Sequence, residues 1–473
     1  MLKEGDEAVA YPRIYRRLLL GIVFALGIGL QLYRLTFVTL WSDEFRGTLQ
    51  LISFPWSTLV TGNYSWELNP PLYFLSLKAW VTVFGTTETV MRLFSILLHS
   101  GSLVTIYALG QKIGNWKAGL AAMSVLAFHP VYMTYATQLR MYPLLILLTL
   151  LAFLCFFSYT LHATHHSAWL LGLGLSLTLA LYTHYFGVFA ILGIGILSTL
   201  YLVLTGDTYQ RYVLLLTAGI VILCVPVFWL AFQQSLQYAH KALDQTYPHL
   251  SVPAILEMFS GSMTIDVALT RMIQLISILS VLGGVVVLVQ NNKKVLALSL
   301  VSFIGTASVL AMVLSARYLN VASRHLLHVY LMAWLVSSLA LLPSRDTLSR
   351  YLKLLTIAAI LINAVGGVSS TLQQSYHSPN WKHIAHVMRQ AARPEEPIVI
   401  MGWDAAPTSY YLHAEWLNSY DFEKHVHEQH AASYLILDSP YSRKLPFVDL
   451  EANVIYTDAH WKVKVVRYIP SST

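Results

Sequence analysis

A short polar stretch early in the chain carries the residues best suited to acid–base chemistry. Asp43 and Glu44 are adjacent, and Glu67 and Asn69 follow before a Pro-Pro pair at 70–71. The stretch separates the first long apolar run of the sequence from the next one. Carboxylates at a membrane face are energetically costly and tend to be functional. We therefore predict that residues 40–73 form the first outward-facing loop of a membrane enzyme and carry its catalytic acid.

Cationic and aromatic side chains recur at the predicted outer ends of later apolar runs. Arg140 and Arg324 could each hold a phosphate, because a guanidinium pairs with phosphate oxygens bidentately and stays charged. The alternative for both is snorkelling to lipid headgroups. Tyr142, His184 and Tyr185 could line a sugar pocket, although tyrosines also suit an aromatic belt and a histidine suits an interfacial hydrogen bond.

The composition indicates a membrane protein. Of 473 residues, 56% are hydrophobic and 11% are charged, whereas soluble domains carry about 25% charged residues. The net charge of +7 comes from basic residues in short links between apolar runs and not from one basic module. This pattern favours membrane topology over nucleic-acid binding. Cys155 and Cys224 both fall inside apolar runs, so a structural disulfide is not expected.

The apolar runs predict a polytopic α-helical bundle. A crossing needs roughly 20 apolar residues, and about eleven runs approach that length. The segment 72–84 is shorter, and we interpret it as a re-entrant or interfacial helix or as an extension of the following span. The predicted spans lie near residues 18–40, 93–110, 118–133, 143–161, 168–182, 186–204, 212–232, 267–289, 295–314, 326–342 and 354–368.

Charge in the links orients the bundle. Arginines before the first span predict a cytoplasmic N-terminus, and most of the links on that side carry lysine or arginine. The histidines at 162, 165 and 166 belong to the remaining cytoplasmic link and are interpreted as a solvated loop. The candidate residues then share the outer side, and Arg92 near the outer start of a span is expected to anchor it or to pair with Glu88. An odd number of crossings places the C-terminus outside.

Two domains are expected. Residues 1–370 form the membrane domain, with the first outer loop at 40–73 and a long outer loop at 233–266 that could act as a lid. Residues 371–473 have the composition of a soluble extracytoplasmic α/β domain. Within it, Trp381, Ile384 and Met388 recur at helical spacing, and the segments 397–403, 433–437 and 463–469 resemble strands.

Several motifs together resemble the integral-membrane GT-C glycosyltransferases, specifically the bacterial branch of the protein O-mannosyltransferase-like family, glycosyltransferase family 39. The Asp43-Glu44 pair follows the first span, and residues 67–73 resemble an acid-x-His-Pro-Pro-Leu-Tyr motif. Asn69 stands where many relatives have His or a basic residue. The sequences at 140–142 and 183–185 resemble Arg-x-Tyr and Thr-His-Tyr motifs, and Arg324 resembles an arginine before a late span.

The resemblance implies a GT-C fold and transfer of a sugar, a hexose or a pentose, from a polyprenyl-phosphate donor outside the cytoplasmic (inner) membrane. The acceptor could be a glycan, a lipid or a protein. Asp43 matches the family's catalytic acid and is the candidate base; the alternative is that Ser42 or Asp43 caps a short interfacial helix. Glu44 is expected to be structural or to support Asp43, and Glu67 is a candidate second acid that could orient the acceptor; the alternative for Glu67 is an exposed loop carboxylate. A divalent metal, if bound, would use Asp43 and Glu67.

A different class of function is a transporter or flippase that binds lipid-linked sugars without catalysis. Transporters usually place polar groups at the bilayer midplane and show inverted repeats. Here the polar residues gather at one face, and the sequence shows no repeat. The pattern therefore favours an enzyme.

Overall fold

The computed structural model describes most of the membrane region and part of the C-terminal segment. The described residues are 13–62, 64, 67–161, 166–239, 250–261, 267–317, 321–344, 346–373, 380–391, 393, 398–401, 407–412, 416–417, 433–437, 454–458 and 463–468. The histidine-rich link and parts of the long loop at 233–266 lie outside these residues.

Helices dominate the described chain. Their bounds are α1 Arg13–Arg34, α2 Ser42–Glu44, α3 Gln50–Ser53, α4 Trp56–Thr61, α5 Leu72–Phe84, α6 Glu88–Ile113, α7 Trp116–Phe128, α8 Pro130–Ala136, α9 Tyr142–Leu161, α10 His166–Thr183, α11 Val188–Thr205, α12 Gln210–Leu223, α13 Val225–Ala239, α14 Val252–Leu256, α15 Val267–Gln290, α16 Lys294–Arg317, α17 Leu327–Ser338, α18 Thr347–Leu372, α19 Trp381–Ala391 and α20 Thr408–Leu412. Five strands follow or alternate with the last helices: β1 Ile398–Met401, β2 Trp416–Leu417, β3 Ser433–Leu437, β4 Val454–Asp458 and β5 Val463–Tyr468.

The helices confirm a polytopic membrane fold. Within the described residues, eight helices are long and apolar enough to cross a membrane, and the bent pair α12–α13 raises this to nine. The predicted spans near 118–133 and 168–182 correspond to the shorter apolar helices α7 and α10. Helix α5 does not extend α6, because Gly85 adopts φ 100° after its last turn, a backbone conformation that favours glycine.

Two compact units make up the chain. The first contains Met1–Leu35 and Val60–Gln373, and the second contains Thr36–Leu59 and Gln374–Thr473. Composition predicts that residues 40–59 belong to the membrane domain, whereas the structure groups them with the C-terminal segment. Composition does not reveal this grouping, because the contacts within the unit join residues more than 300 positions apart. The hydrogen bonds from Leu40 to Tyr411 and from Lys382 to Val38 are examples.

In the first unit, α17 is the central helix. Every residue from Leu327 to Ser338 is buried, including Trp334. A helix that is apolar on all sides belongs in the interior of a bundle. Because α17 is enclosed by its neighbours, the short 3₁₀ turn Ser323–Leu326 at its start is held in a fixed position.

Small residues allow close helix packing around this core. A Cβ atom added at Gly110 of α6 would lie 2.8 Å from Cα of Gly119 in α7. Contacts of this kind bring helix backbones together in membranes, where lipid is as apolar as leucine. Cys155 and Cys224 are buried free thiols, which agrees with the expectation that they form no structural disulfide. The predicted Arg92–Glu88 pair is confirmed, with 2.8 Å between Nε and Oε1.

The second unit contains a mixed sheet. Its strand order is β2-β1-β3-β5-β4, in which β1 is parallel to β2 and β3, and β5 is antiparallel to β3 and β4. The three predicted strands are β1, β3 and β5. Helix α19 buries Trp381, Ile384 and Met388 completely, as its helical spacing predicts.

Candidate active site

An ion pair between two distant segments forms the centre of the candidate site in the first unit. Arg140 donates to both carboxylate oxygens of Glu67, with 2.7 Å from Nη1 to Oε2 and 3.4 Å from Nη2 to Oε1. Each residue is only 6% exposed. Bidentate geometry makes a charge-assisted pair stronger and directional. Glu67 is therefore a buried carboxylate, and the alternative of an exposed loop carboxylate is wrong; its role towards the acceptor stays a prediction.

Neighbouring groups fix the loop that carries Glu67. The side-chain amide of Asn69 donates to Oε1 of Glu67, and the hydroxyl of Tyr64 lies 3.5 Å from the carbonyl oxygen of Asn69. Pro71 then begins α5 as its N-cap. Asn69 thus contacts the Glu67 carboxylate directly. Its neutral amide donates a hydrogen bond to the carboxylate without adding charge. Burial raises the pKa of Tyr64, and the nearby Glu67 carboxylate raises it further.

The second arginine approaches from the start of the central helix. Nε of Arg324 donates to the hydroxyl of Tyr142 over 3.1 Å. Tyr142 is the first residue of α9, two positions after Arg140, and it is buried. The phenol oxygen therefore orients the plane of the Arg324 guanidinium. This contact joins two of the motifs identified in the sequence.

Two histidines lie beside these groups, and each caps the start of a short 3₁₀ turn, at Tyr185–Gly187 and at Ser323–Leu326. Nδ1 of His184 accepts from the backbone N–H of Phe186 at 3.0 Å, and Nδ1 of His325 accepts from that of Ala322 at 3.2 Å. An imidazole whose Nδ1 accepts a hydrogen bond carries its proton on Nε2 when neutral. The two ring centroids are 5.3 Å apart, and the Tyr142 ring is 6.1 Å from His184.

The surroundings of His184 favour its uncharged form. Burial is the main cause that lowers the pKa of His184, and interactions with His328, Arg140 and Arg324 lower it further. An uncharged imidazole can donate through Nε2 without repelling the two guanidinium groups. The region therefore combines the Arg324 cation and the Arg140–Glu67 ion pair with neutral hydrogen-bond donors and aromatic faces, which suits an anionic ligand attached to a polar ring.

A glutamine that the sequence analysis did not single out completes the neighbourhood. The Tyr185 hydroxyl donates to Oε1 of Gln234 over 2.8 Å, and Nε2 of Gln234 donates to the carbonyl oxygen of Gly62 over 3.0 Å. Gln234 is 4% exposed. Its position in α13, just after an apolar run, was the available clue. His325 follows Arg324 in the chain, and its ring lies in the same cluster, 5.3 Å from the ring of His184 and 6.4 Å from that of Tyr142.

Asp43 and Glu44 belong to the second unit. They lie in α2, which continues through a π-helical turn at Phe45–Leu49 into α3. Trp41 is the N-cap of α2, and its backbone N–H donates to Oε2 of Glu44 over 3.2 Å. The alternative that Ser42 or Asp43 is the cap is therefore wrong. Glu44 is 1% exposed and Asp43 is partly exposed, so Glu44 supports the turn while Asp43 is accessible.

No group of three or more His, Cys, Asp or Glu residues with the arrangement of a metal site occurs in the part of the chain that the structure describes. Both oxygens of Glu67 already accept from Arg140. A cation at this carboxylate would compete with the guanidinium. A metal held by Asp43 and Glu67 stays a prediction.

The fold and the site define a polytopic helical membrane protein with a buried cluster of cationic and aromatic side chains. The sequence model of the family described as dolichyl-phosphate-mannose-protein mannosyltransferase matches residues 69–230. None of the curated protein sequences matches this chain. The matched range includes four candidate site residues, Asn69, Arg140, Tyr142 and His184, and begins two positions after Glu67.

Solved structures share the fold over nearly the whole chain. The crystal structure of ArnT from Cupriavidus metallidurans bound to undecaprenyl phosphate matches with TM-score 0.63 and 12% identity, covering 98% of this chain and 99% of that one. The apo oligosaccharyltransferase of Archaeoglobus fulgidus matches with TM-score 0.53 and 11% identity over 91% and 70%. The mycobacterial arabinofuranosyltransferase AftD matches with TM-score 0.51 and 12% identity over 98% and 40%. The chain therefore shares the fold of these membrane glycosyltransferases, and its residues 69–230 match the mannosyltransferase family model.

Proposed function

We propose that this protein transfers a sugar from a polyprenyl-phosphate-linked donor to an acceptor at the outer face of the inner membrane, where its C-terminal domain also lies. The observation that carries the proposal is one cluster of contacts: Arg324 donates to the Tyr142 hydroxyl, the Tyr142 ring lies 6.1 Å from His184, and Arg140, two positions before Tyr142, is paired with the buried Glu67. Cations and neutral donors together suit a phosphate joined to a sugar. The similarity in fold to ArnT, whose structure holds undecaprenyl phosphate, supports this ligand class.

The reaction requires little covalent chemistry from the protein. A hydroxyl or amine of the acceptor attacks the anomeric carbon, and the bond between that carbon and the phosphate oxygen breaks. The electron pair leaves with the phosphate, and the acceptor's proton goes to a base. We assign the base to Asp43, which is accessible in the first turn of α2. A positioned general base contributes roughly 10²–10⁴-fold to such a rate.

The cationic residues have different parts in this proposal. Arg324 binds the donor phosphate, with its guanidinium oriented by the Tyr142 hydroxyl. Arg140 holds Glu67 in place and adds positive charge for the leaving phosphate. Glu67 orients the acceptor. Tyr142, His184, Tyr185 and Asn69 line the sugar pocket.

The test measures donor turnover and donor binding separately. Purified protein in detergent is incubated with radiolabelled undecaprenyl-phosphate hexoses and pentoses. Asp43→Asn is expected to lower turnover by about 10²-fold or more while donor binding persists. Arg324→Ala is expected to weaken donor binding. The matched control is Asp346→Asn, because Asp346 caps α18 by accepting from Ser349 and asparagine caps equally well.

Each result separates the candidate functions. Turnover in the wild-type protein that persists unchanged in Asp43→Asn removes the base assignment. Donor binding without turnover, across protein, glycan and lipid acceptors, supports a transporter of lipid-linked sugars. Failure to bind any polyprenyl-phosphate sugar contradicts the proposal as a whole.

A further inference from the structure

The segment that leads into Asp43 is bound by the C-terminal part of the same compact unit. Residues 36–59 and 374–473 group together although more than 300 residues separate them in sequence. The chain between the end of α1 and the start of α2 has no regular structure at Val38–Leu40. Its backbone groups therefore need partners from outside a helix or a sheet.

Two side chains from the C-terminal segment supply those partners. The hydroxyl of Tyr411 accepts from the backbone N–H of Leu40 over 2.8 Å. Nζ of Lys382 donates to the carbonyl oxygen of Val38 over 2.8 Å. Leu40 is completely buried. Both hydrogen bonds thus act on backbone atoms three to five residues before Asp43.

The two side chains also support each other. Nζ of Lys382 lies 5.8 Å from the centroid of the Tyr411 ring, within the range of a cation–π contact. Arg389, on the same helix as Lys382, donates to the backbone carbonyl oxygen of Tyr411. Helix α19 is fixed by the fully buried Trp381 and Ile384. Lys382 and Tyr411 therefore form an ordered pair, which we call the loop clamp.

We propose that the loop clamp positions Asp43, so that the C-terminal module is a working part of the catalytic machinery. The inference rests on the proposed role of Asp43 as the base. Lys382 and Tyr411 are positioning residues, because they hold the backbone that leads into α2 and do not act on the substrate. The module is then required for turnover even when the membrane bundle is intact and binds donor.

The expected size of the effect follows from the sensitivity of catalysis to geometry. A displacement of about 1 Å in a catalytic group can cost about 10²-fold in rate. Loss of one of the two hydrogen bonds is expected to lower kcat by about 10-fold, and loss of both by about 10²-fold. Donor affinity should not change, because the clamp acts on the segment before Asp43.

The experiment compares Tyr411→Phe, Lys382→Met and the double variant with Lys382→Arg. Turnover of radiolabelled undecaprenyl-phosphate sugar gives kcat and KM, and binding of undecaprenyl phosphate is measured separately. Lys382→Arg keeps the cation and is expected to retain most activity. Tyr351→Phe is the matched control, because Tyr351 is 66% exposed on α18 in the first unit.

Hydrogen–deuterium exchange at the Leu40 amide tests the clamp independently of activity. In the full-length protein, Tyr411→Phe should speed exchange at this amide and Tyr351→Phe should leave it unchanged. A fall in kcat with unchanged donor binding and faster exchange supports the inference. Unchanged kcat in the double variant contradicts it.

The controls separate this inference from the proposed function. If Asp43→Asn retains full turnover, the base assignment fails. If Asp43→Asn is inactive but the double clamp variant turns over at the wild-type rate, the base assignment stands and only the clamp is wrong.

Discussion

Breaking the Glu67–Arg140 pair from one side should cost more stability than removing it altogether. The closest N–O distance is 2.7 Å, and at an effective dielectric constant of about 20 the Coulomb attraction is about 6 kcal/mol. Desolvation of two buried ions offsets most of this. Glu67→Gln or Arg140→Met leaves one buried ion without its counter-charge and should lower the free energy of unfolding by about 3–5 kcal/mol.

The double variant Glu67→Gln/Arg140→Met should lose only about 1–2 kcal/mol, because replacement of a complete buried pair is often nearly neutral. The assay is reversible unfolding in mixed micelles, with the four proteins forming a double-mutant cycle. The cycle predicts a coupling energy of about 3 kcal/mol or more. Losses that simply add in the double variant, or single-variant losses below about 0.5 kcal/mol, would show that Glu67 and Arg140 do not form a buried ion pair.

The Glu88–Arg92 pair gives a matched comparison. It is also buried, with a single contact of 2.8 Å between Nε of Arg92 and Oε1 of Glu88, one helical turn apart on α6. Glu88→Gln should lower stability to a similar extent. Donor binding per folded molecule should persist in Glu88→Gln and should fall in Arg140→Met. Equal effects of both variants on donor binding would indicate a general loss of structure instead of a specific role for Arg140.

Further predictions concern helix packing and helix capping. Gly284→Ala should lower the thermal midpoint through about 1–3 kcal/mol of overpacking, because a Cβ there would lie 2.0 Å from the carbonyl oxygen of Val336. Gly305→Ala is the control and should not lower it, because a Cβ there would have nothing within 4 Å. Equal melting of the two variants would contradict this prediction. His184→Asn should keep the hydrogen bond from the backbone N–H of Phe186 but remove the Nε2 donor, so the variant should retain its stability and lose sugar binding. His184→Ala should lose sugar binding and also about 1 kcal/mol of stability, because the cap is removed. Thermal melting and donor binding measure the two effects. Sugar binding by His184→Asn at the wild-type level would rule out the donor role.

The sequence was sufficient to predict the class of fold. Long apolar runs must become helices in lipid, since no water is available to satisfy the backbone, and the described helices agree with most predicted spans. The shorter helix α7 could also be predicted, because its residues form a continuous apolar run even though the run is shorter than a full crossing. The period of α19 likewise predicted which residues are buried, because one helix face must pack against a core.

Most candidate site residues could also be identified from the sequence, because of their residue types. Arginine, histidine and carboxylate are costly near a membrane interior, so each one is informative. The sequence did not reveal which of them pair. Glu67 and Arg140 are separated by 73 positions, and the proximity of Gln234 to Tyr185 has no counterpart in local pattern.

Tertiary structure alone decided how these parts are grouped. The hydrogen bonds from Lys382 and Tyr411 link the C-terminal module to the segment before Asp43, and they span 344 and 371 positions. Local sequence determines helix and strand because propensity and hydrophobic period act over a few residues. Contacts between distant side chains depend on how the elements pack, so the ion pair at Glu67 and the loop clamp became visible only in the folded chain.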